Sequence, residues 1–187
     1  MGATAYAATT ATSELSQTIN AGTLSTDIRD AGDAVVSNPT FAMGAVNVST
    51  SAQTATGTFG EAGKRISVDN PGGANNGWTL TLNATTPGTG KWTSGSNTYQ
   101  YNGNATTGQL TVNPAAGTLT SMVGSSTGIT LGSQAAFSGT SPVISAAAGS
   151  DDVWRGYVTG VGLSQAIPAG QAAGTYTLPM TQTVTAV

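Results

Sequence analysis

Residues 66–82 read ISVDNPGGANNGWTLTL and predict two strands joined by a long polar turn. On both sides of the turn, apolar and polar residues alternate with a period of two, which puts successive side chains on opposite faces of a strand. The turn begins with Asp, Asn, Pro and two glycines, all of which favour turns. We expect a hairpin whose inner face carries Trp78, Leu80 and Leu82, with Trp78 alone burying about 200 Å² of surface.

The composition of the whole chain favours a β-rich protein with an uncharged polar surface. Of its 187 residues, 38% are hydrophobic and only 7% are charged, and 26 are glycines. Short strand candidates alternate with turns that contain Gly or Pro, and no helical period extends beyond two turns. We therefore predict an all-β fold, a β-sandwich or jelly-roll-like arrangement of short strands. One domain is expected over residues 13–187, with a hairpin near residues 18–28, after an N-terminal arm over residues 1–12.

Several classes of function are disfavoured by what the sequence lacks. It has no histidine and no cysteine, so the commonest general base, the reactive thiol and most transition-metal ligands are missing. We therefore expect neither an enzyme nor a bound cofactor. The five basic residues are dispersed and the net charge is -3, so no basic patch for a nucleic-acid backbone is predicted. No run of about 18 apolar residues is present that would span a bilayer.

Two sets of side chains are candidates for binding a ligand. Carboxylate and amide oxygens on loops suit calcium, although Asx turns explain the same residues without a metal. The candidate calcium ligands are Asp69, Asn70, Asp151 and Asp152. Exposed aromatic rings stack on sugars, although the same rings serve as large core side chains. The candidate glycan contacts are Trp154, Arg155 and Tyr157.

Two parts of the chain resemble the WxL surface domains of Gram-positive bacteria. Asp69-Asn70, a turn containing glycine and then residues 77–80, GWTL, are similar to the first signature of that family. Residues 163–168, LSQAIP, and residues 173–176, AGTY, are similar to its closing segment. Only these patches carry the resemblance.

The resemblance covers about residues 37–187 and includes two departures from the family pattern. Pro71-Gly72 stands where the family has Arg-Gly, and the second Trp-x-Leu motif, due near residues 182–184, is absent. The resemblance implies a β-sandwich at the cell surface. It fits either a non-catalytic domain that binds cell-wall peptidoglycan or glycan, or a subunit of a surface fibre.

Both ends of the chain are strand-like and almost uncharged. Residues 4–12 and 177–187 carry few residues that discourage edge-to-edge strand pairing. An end strand of one copy would complete the sheet of the next through main-chain hydrogen bonds. The leading hypothesis is a secreted bacterial surface filament, a homopolymer joined head-to-tail by donor strands, and the wall-binding domain is the alternative. We expect the arm to be anchored by Tyr6, followed by Leu15 and Ile19.

Overall fold

The computed structural model describes residues 1–3, 9–72, 76–85, 90–150 and 153–187. Nearly all of the regular structure in these residues is β, so the predicted all-β, sandwich-like fold is confirmed. The strands are β1 (Ser25–Arg29), β2 (Gln53–Phe59), β3 (Arg65–Asn70), β4 (Trp78–Ala84), β5 (Lys91–Ser94), β6 (Asn97–Gln100), β7 (Gln109–Asn113), β8 (Thr118–Val123), β9 (Ile129–Leu131), β10 (Ala135–Ala136), β11 (Thr140–Ala146), β12 (Trp154–Thr159), β13 (Val161–Ile167) and β14 (Met180–Ala186). A single turn of 3₁₀ helix, Pro114–Ala116, separates β7 from β8.

The strands form three four-stranded antiparallel sheets and one two-stranded sheet. The first sheet has the order β1-β3-β12-β8, the second β14-β4-β11-β9 and the third β10-β7-β13-β2, while β5 and β6 form a separate hairpin. Neighbouring strands in each sheet come mostly from distant parts of the chain. The fold therefore depends on long-range pairing rather than on a series of local hairpins.

One long stretch, β12 followed by β13, passes from the first sheet into the third, and its partner changes from β3 to β2, which a turn closed by Glu61 and Lys64 separates. The ladder between β12 and β3 gives way to the ladder between β13 and β2, and Gly60 and Gly160 lie at the junction. The amide of Gly160 donates to the carbonyl of Gly60 at 2.7 Å. Both glycines have positive φ angles, +84° and +78°, which residues with a Cβ rarely adopt. Glycine at these two positions allows the backbone conformation that the junction between the two sheets requires.

The core lies mainly between the first and second sheets. Trp78 on β4 and Trp154 on β12 pack with their ring centroids 5.5 Å apart. The predicted core face of β4 is confirmed, since Trp78, Leu80 and Leu82 are 2%, 0% and 2% exposed. Alternate residues of β12 are buried as well, and Gly156 leaves the space that the Trp154 ring occupies, because a Cβ there would collide with that ring.

Two local predictions are wrong. β3 and β4 do not pair with each other: β3 belongs to the first sheet and β4 to the second, so residues 71–77 connect the two layers instead of closing a hairpin. The apolar faces of β3 and β4 pack against each other across the core. This arrangement buries the same alternate residues that a hairpin with one buried face would bury. The hairpin expected near residues 18–28 is absent too. Residues 9–24 have no regular secondary structure, and β1 pairs with β3 instead.

Candidate functional site

The N-terminal segment, residues 9–23, has no regular secondary structure. Every residue in it is exposed, including two large apolar side chains, Leu15 at 99% and Ile19 at 88%. The amide of Gly22 donates to the carbonyl of Pro71 at 3.0 Å, which fixes where the segment joins the domain. A spacing of four puts Leu15 and Ile19 on the same face of an extended chain, about 13 Å apart. Tyr6, the predicted anchor, lies outside the described residues.

β14 is an edge strand: one side carries the ladder to β4, and the other carries no ladder although β1 lies close to it. Within the described residues it pairs only with β4, and its sequence, MTQTVTA, carries no charge. The amide of Val187 donates to Gly77, and that of Thr85 donates to Pro179. In this register the amides of Thr181, Thr183 and Thr185 face β4, and those of the residues between them face the free side. Natural edge strands are usually protected by charge, proline or a bulge, and β14 has none of these over Met180–Ala186.

An open groove, here called the seam groove, lies between β1 and β14. Its volume is about 630 Å³. Most of its lining is apolar and belongs to residues that extend the core outward. The main apolar residues are Ile28, Phe41, Phe59, Leu82, Leu178 and Met180. Gln182 of β14 donates to the Thr26 hydroxyl of β1 at 2.8 Å, so the two strands are bridged by a side chain and not by a backbone ladder.

A second cavity, here called the aromatic cleft, lies over the third sheet between residues 40–49 and 168–177. Its volume is about 590 Å³. Its lining includes four aromatic rings and four amide side chains, namely Phe41, Trp92, Tyr99, Tyr176, Asn47, Gln53, Gln165 and Gln171. No charged side chain is among the described residues that line it. The cleft is therefore suited to an uncharged ligand.

The rings of the aromatic cleft are held by one another and by buried amides. Trp92 and Tyr99 face each other across β5 and β6 and are stacked, with centroids 6.1 Å apart and planes 11° apart. Trp92 Nε1 donates to Oε1 of Gln165 at 2.8 Å, and Gln165 is only 1% exposed. Tyr176 meets Tyr99 edge-on at 5.0 Å. Burial, with a smaller contribution from Tyr176, raises the pKa of Tyr99 to about 12.

The loop that carries Tyr176 is tied to the same ring. Gln171 Nε2 donates to the Tyr176 hydroxyl at 2.6 Å, and that hydroxyl donates to the carbonyl of Ala172 at 2.9 Å. These bonds hold the wall of the cleft in place. The sequence does not indicate that Tyr176 joins the Trp92–Tyr99 pair, because Tyr176 is distant from both in the chain.

The predicted glycan contacts do not form one exposed surface. The interpretation of Trp154 as an exposed ring is wrong, because it is 0% exposed and its Nε1 donates to Ser121 at 2.7 Å. Arg155 and Tyr157 lie on the opposite, outer face of β12. Tyr157 is covered by the guanidinium of Arg65, 4.5 Å from the ring centroid.

Arg155 belongs to a chain of ion pairs on the outer face of the first sheet. It contacts Asp33 and lies 3.9 Å from Asp69, while Arg29 lies 2.9 Å from Asp27 and 3.9 Å from Asp33. These residues and Arg65 contain much of the charge in the chain. We call this set the charged face.

Two of the predicted calcium ligands contact other groups of the protein, and the other two lie outside the described residues. Asp69 faces Arg155, and Asn70 accepts a hydrogen bond from the amide of Gly72 at 3.3 Å, which is the turn role expected without a metal. Asp151 and Asp152 lie outside the described residues. Among the residues that are described, no three acidic side chains come together in a way that would hold a metal ion.

Comparison with known proteins gives no relative: no family model, no curated protein and no solved structure matches this chain. In the described ranges, no helix has the length and apolar character needed to cross a membrane. The features of the molecule that bear on function are therefore the N-terminal segment, the seam groove and the edge of β14 that carries no ladder.

Proposed function

We propose that the protein is a structural subunit of a secreted bacterial surface filament, similar in kind to the fibre-forming WxL-like proteins. Copies join head-to-tail when the N-terminal segment of one enters the seam groove of the next and pairs with the free edge of β14. The observation that carries this proposal is the exposure of Leu15 and Ile19 in the N-terminal segment, in a chain that also has an open apolar groove beside the edge of β14 that carries no ladder.

The energetics require both side-chain burial and backbone pairing. Burying Leu15 and Ile19 contributes about 3 to 6 kcal/mol in total. Association costs about 4 to 15 kcal/mol in lost freedom, so these two side chains alone do not hold a filament together. A backbone ladder along β14 supplies further hydrogen bonds, each contributing about 0.5 to 1.5 kcal/mol net. Strand addition therefore accounts for assembly better than a simple hydrophobic contact.

The position of the segment favours a groove on another copy. The segment joins the domain at Gly22, beside Pro71, and leads directly into β1, which is itself one wall of the seam groove. To reach its own groove, the chain would have to reverse direction at the start of β1. A head-to-tail contact between copies does not close on itself and produces a filament.

The surface area agrees with a subunit that buries more surface on assembly. The accessible surface of the chain is 10673 Å². A compact monomer of 18.4 kDa exposes about 8,200 Å². The excess of about 2,500 Å² exceeds the roughly 800 Å² per partner that a standard protein interface buries.

The decisive test is substitution within the N-terminal segment. We expect the double variant Leu15→Asn and Ile19→Asn to stay folded and monomeric, because neither side chain contacts the domain. The matched control, Ser16→Asn and Thr18→Asn, changes the opposite face of the same segment and should still form filaments. Electron microscopy and sedimentation measure the polymer, and circular dichroism checks the fold.

Cross-linking tests whether the contact joins different copies. Because the chain has no cysteine, one preparation can carry Leu15→Cys and another Met180→Cys. A short bismaleimide added to the mixture should give a dimer that contains one copy of each variant. The proposal is wrong if the asparagine variant still forms filaments, or if the unmodified protein stays monomeric at high concentration.

A further inference from the structure

We propose that the aromatic cleft binds an uncharged oligosaccharide. The assignment depends on the cleft alone and does not require the chain to polymerise. The proposed glycan contacts are the rings of Trp92, Tyr99 and Tyr176, and Trp154 is not among them because it is buried.

The aromatic part of the cleft is organised in advance for stacking. Trp92 and Tyr99 are half-buried and fixed as a cross-strand pair, and Tyr176 fixes the second ring edge-on. Trp92 is also held by a hydrogen bond to the buried Gln165. Rings fixed in this way lose little freedom when a ligand binds. The apolar C–H face of a pyranose ring is the natural partner of such a surface.

The polar part of the cleft matches hydroxyl groups. The amides of Gln53 and Gln171 lie in its lining, and a side-chain amide both donates and accepts hydrogen bonds. A sugar hydroxyl also does both. Since no charged side chain is among the described lining residues, nothing there would offset the desolvation of an anionic or cationic ligand.

The cleft is a poor place for an added peptide strand, unlike the seam groove. Its floor is β13, which is already paired with β2 on one side and β7 on the other. The outer side of β2 is occupied by residues 43 and 44, with the amide of Gly44 donating to Thr56 at 2.7 Å. Among the described residues, neither β13 nor β2 therefore offers a free backbone edge to a peptide, whereas a sugar needs none.

Titration of the full-length protein with hexasaccharides of glucose and of N-acetylglucosamine tests the proposal. Trp78 and Trp154 are buried, so a saturable change in tryptophan emission would report on Trp92. Calorimetry then measures affinity for Tyr176→Ala and Gln171→Ala, two changes on a partly exposed loop. We expect each to weaken binding about tenfold or more through loss of a stacking ring or an amide contact.

Tyr157→Ala is the matched control, because Tyr157 is an aromatic residue on the outer face of the first sheet. It should leave affinity unchanged. Binding of both sugars would indicate that ring stacking suffices, and binding of the N-acetyl sugar alone would indicate an additional acetamido contact; both results support the assignment. The assignment is overturned if neither sugar binds at millimolar concentration, if the folded cleft variants bind normally, or if Tyr157→Ala is the variant that loses affinity.

Discussion

Trp78 and Trp154 show how well the burial of a single residue can be predicted from the sequence. Trp78 was identified as a core residue because its strand alternates apolar and polar side chains. Trp154 has the same alternation, with Gly156 and Val158 also buried, but glycine gives no apolar signal. The adjacent Arg155 suggested exposure, whereas in a strand neighbouring side chains lie on opposite faces. The period of two was therefore the informative signal at both positions.

The raised pKa of Tyr99 predicts that the folded protein loses stability in alkaline solution. Its pKa is raised to about 12 by burial, whereas a tyrosine in an unfolded chain titrates near 10. As the pH rises between about 10 and 12, the unfolded chain loses this proton while the folded chain keeps it, so unfolding becomes more favourable. The stabilisation is complete below about pH 10 and is lost as the pH rises through 12. Urea titrations across this range should show a falling midpoint.

Tyr99→Phe separates this effect from other alkaline titrations. The variant should lose part, but not all, of the pH dependence, because burial raises the pKa of Tyr101 in the same direction. An unchanged slope in the variant would show that Tyr99 does not contribute. Absorbance of tyrosinate gives an independent measure of the titration in the folded protein.

At the scale of elements, strands were easier to predict than their partners. The sequence predicted both β3 and β4, yet a pattern of alternation is the same for a hairpin and for two strands in facing sheets. A connection of seven residues, 71–77, is long enough to cross the roughly 10 Å between stacked sheets. Leu15 and Ile19 could be selected from the sequence because they are large apolar residues in a polar segment whose single charge is Glu14, and the structure shows both side chains exposed. The aromatic cleft could not be predicted, because it is assembled from distant loops.

β14 allows a test of backbone pairing that leaves the domain intact. The amide of Val184 faces the free side of the strand, so Val184→Pro removes a donor there without breaking the ladder to β4. We expect the critical concentration for filament formation to rise about tenfold or more, from the lost hydrogen bond and the bulk of the ring. Light scattering against protein concentration measures it.

Val184→Ala is the matched control for this substitution. It removes the same partly buried side chain but keeps the amide, so filaments should form at nearly the normal concentration. If Val184→Pro folds and polymerises as well as Val184→Ala, the donor does not pair with β14. Both variants require a thermal melt to confirm that the domain remains folded.

At the scale of the whole molecule, charge and proposed assembly surface are separated. All the ion pairs except Glu61–Lys64, which closes the turn before β3, lie on the charged face on the outside of the first sheet. The N-terminal segment carries one charged residue, Glu14, and Asp27 is the one charged residue among those described as lining the seam groove. Both are acidic, so electrostatic attraction does not draw the segment into the groove. Hydrophobic burial and backbone pairing have to drive assembly.

This separation predicts that assembly depends weakly on salt. Between about 10 mM and 100 mM salt the screening length falls from about 30 Å to about 10 Å. If opposite charges steered the interface, filaments would grow far more slowly at the higher salt concentration. We expect instead that the growth rates at the two salt concentrations differ by less than about threefold, or that the rate rises slightly because salt screens the repulsion between Glu14 and Asp27. Arg65→Gln, a change on the charged face, should leave the rate unaltered at both concentrations. A steep fall in rate with salt, or slow growth of the Arg65→Gln variant, would instead place the subunit contact on the first sheet, where four of the five ion pairs in the described residues lie.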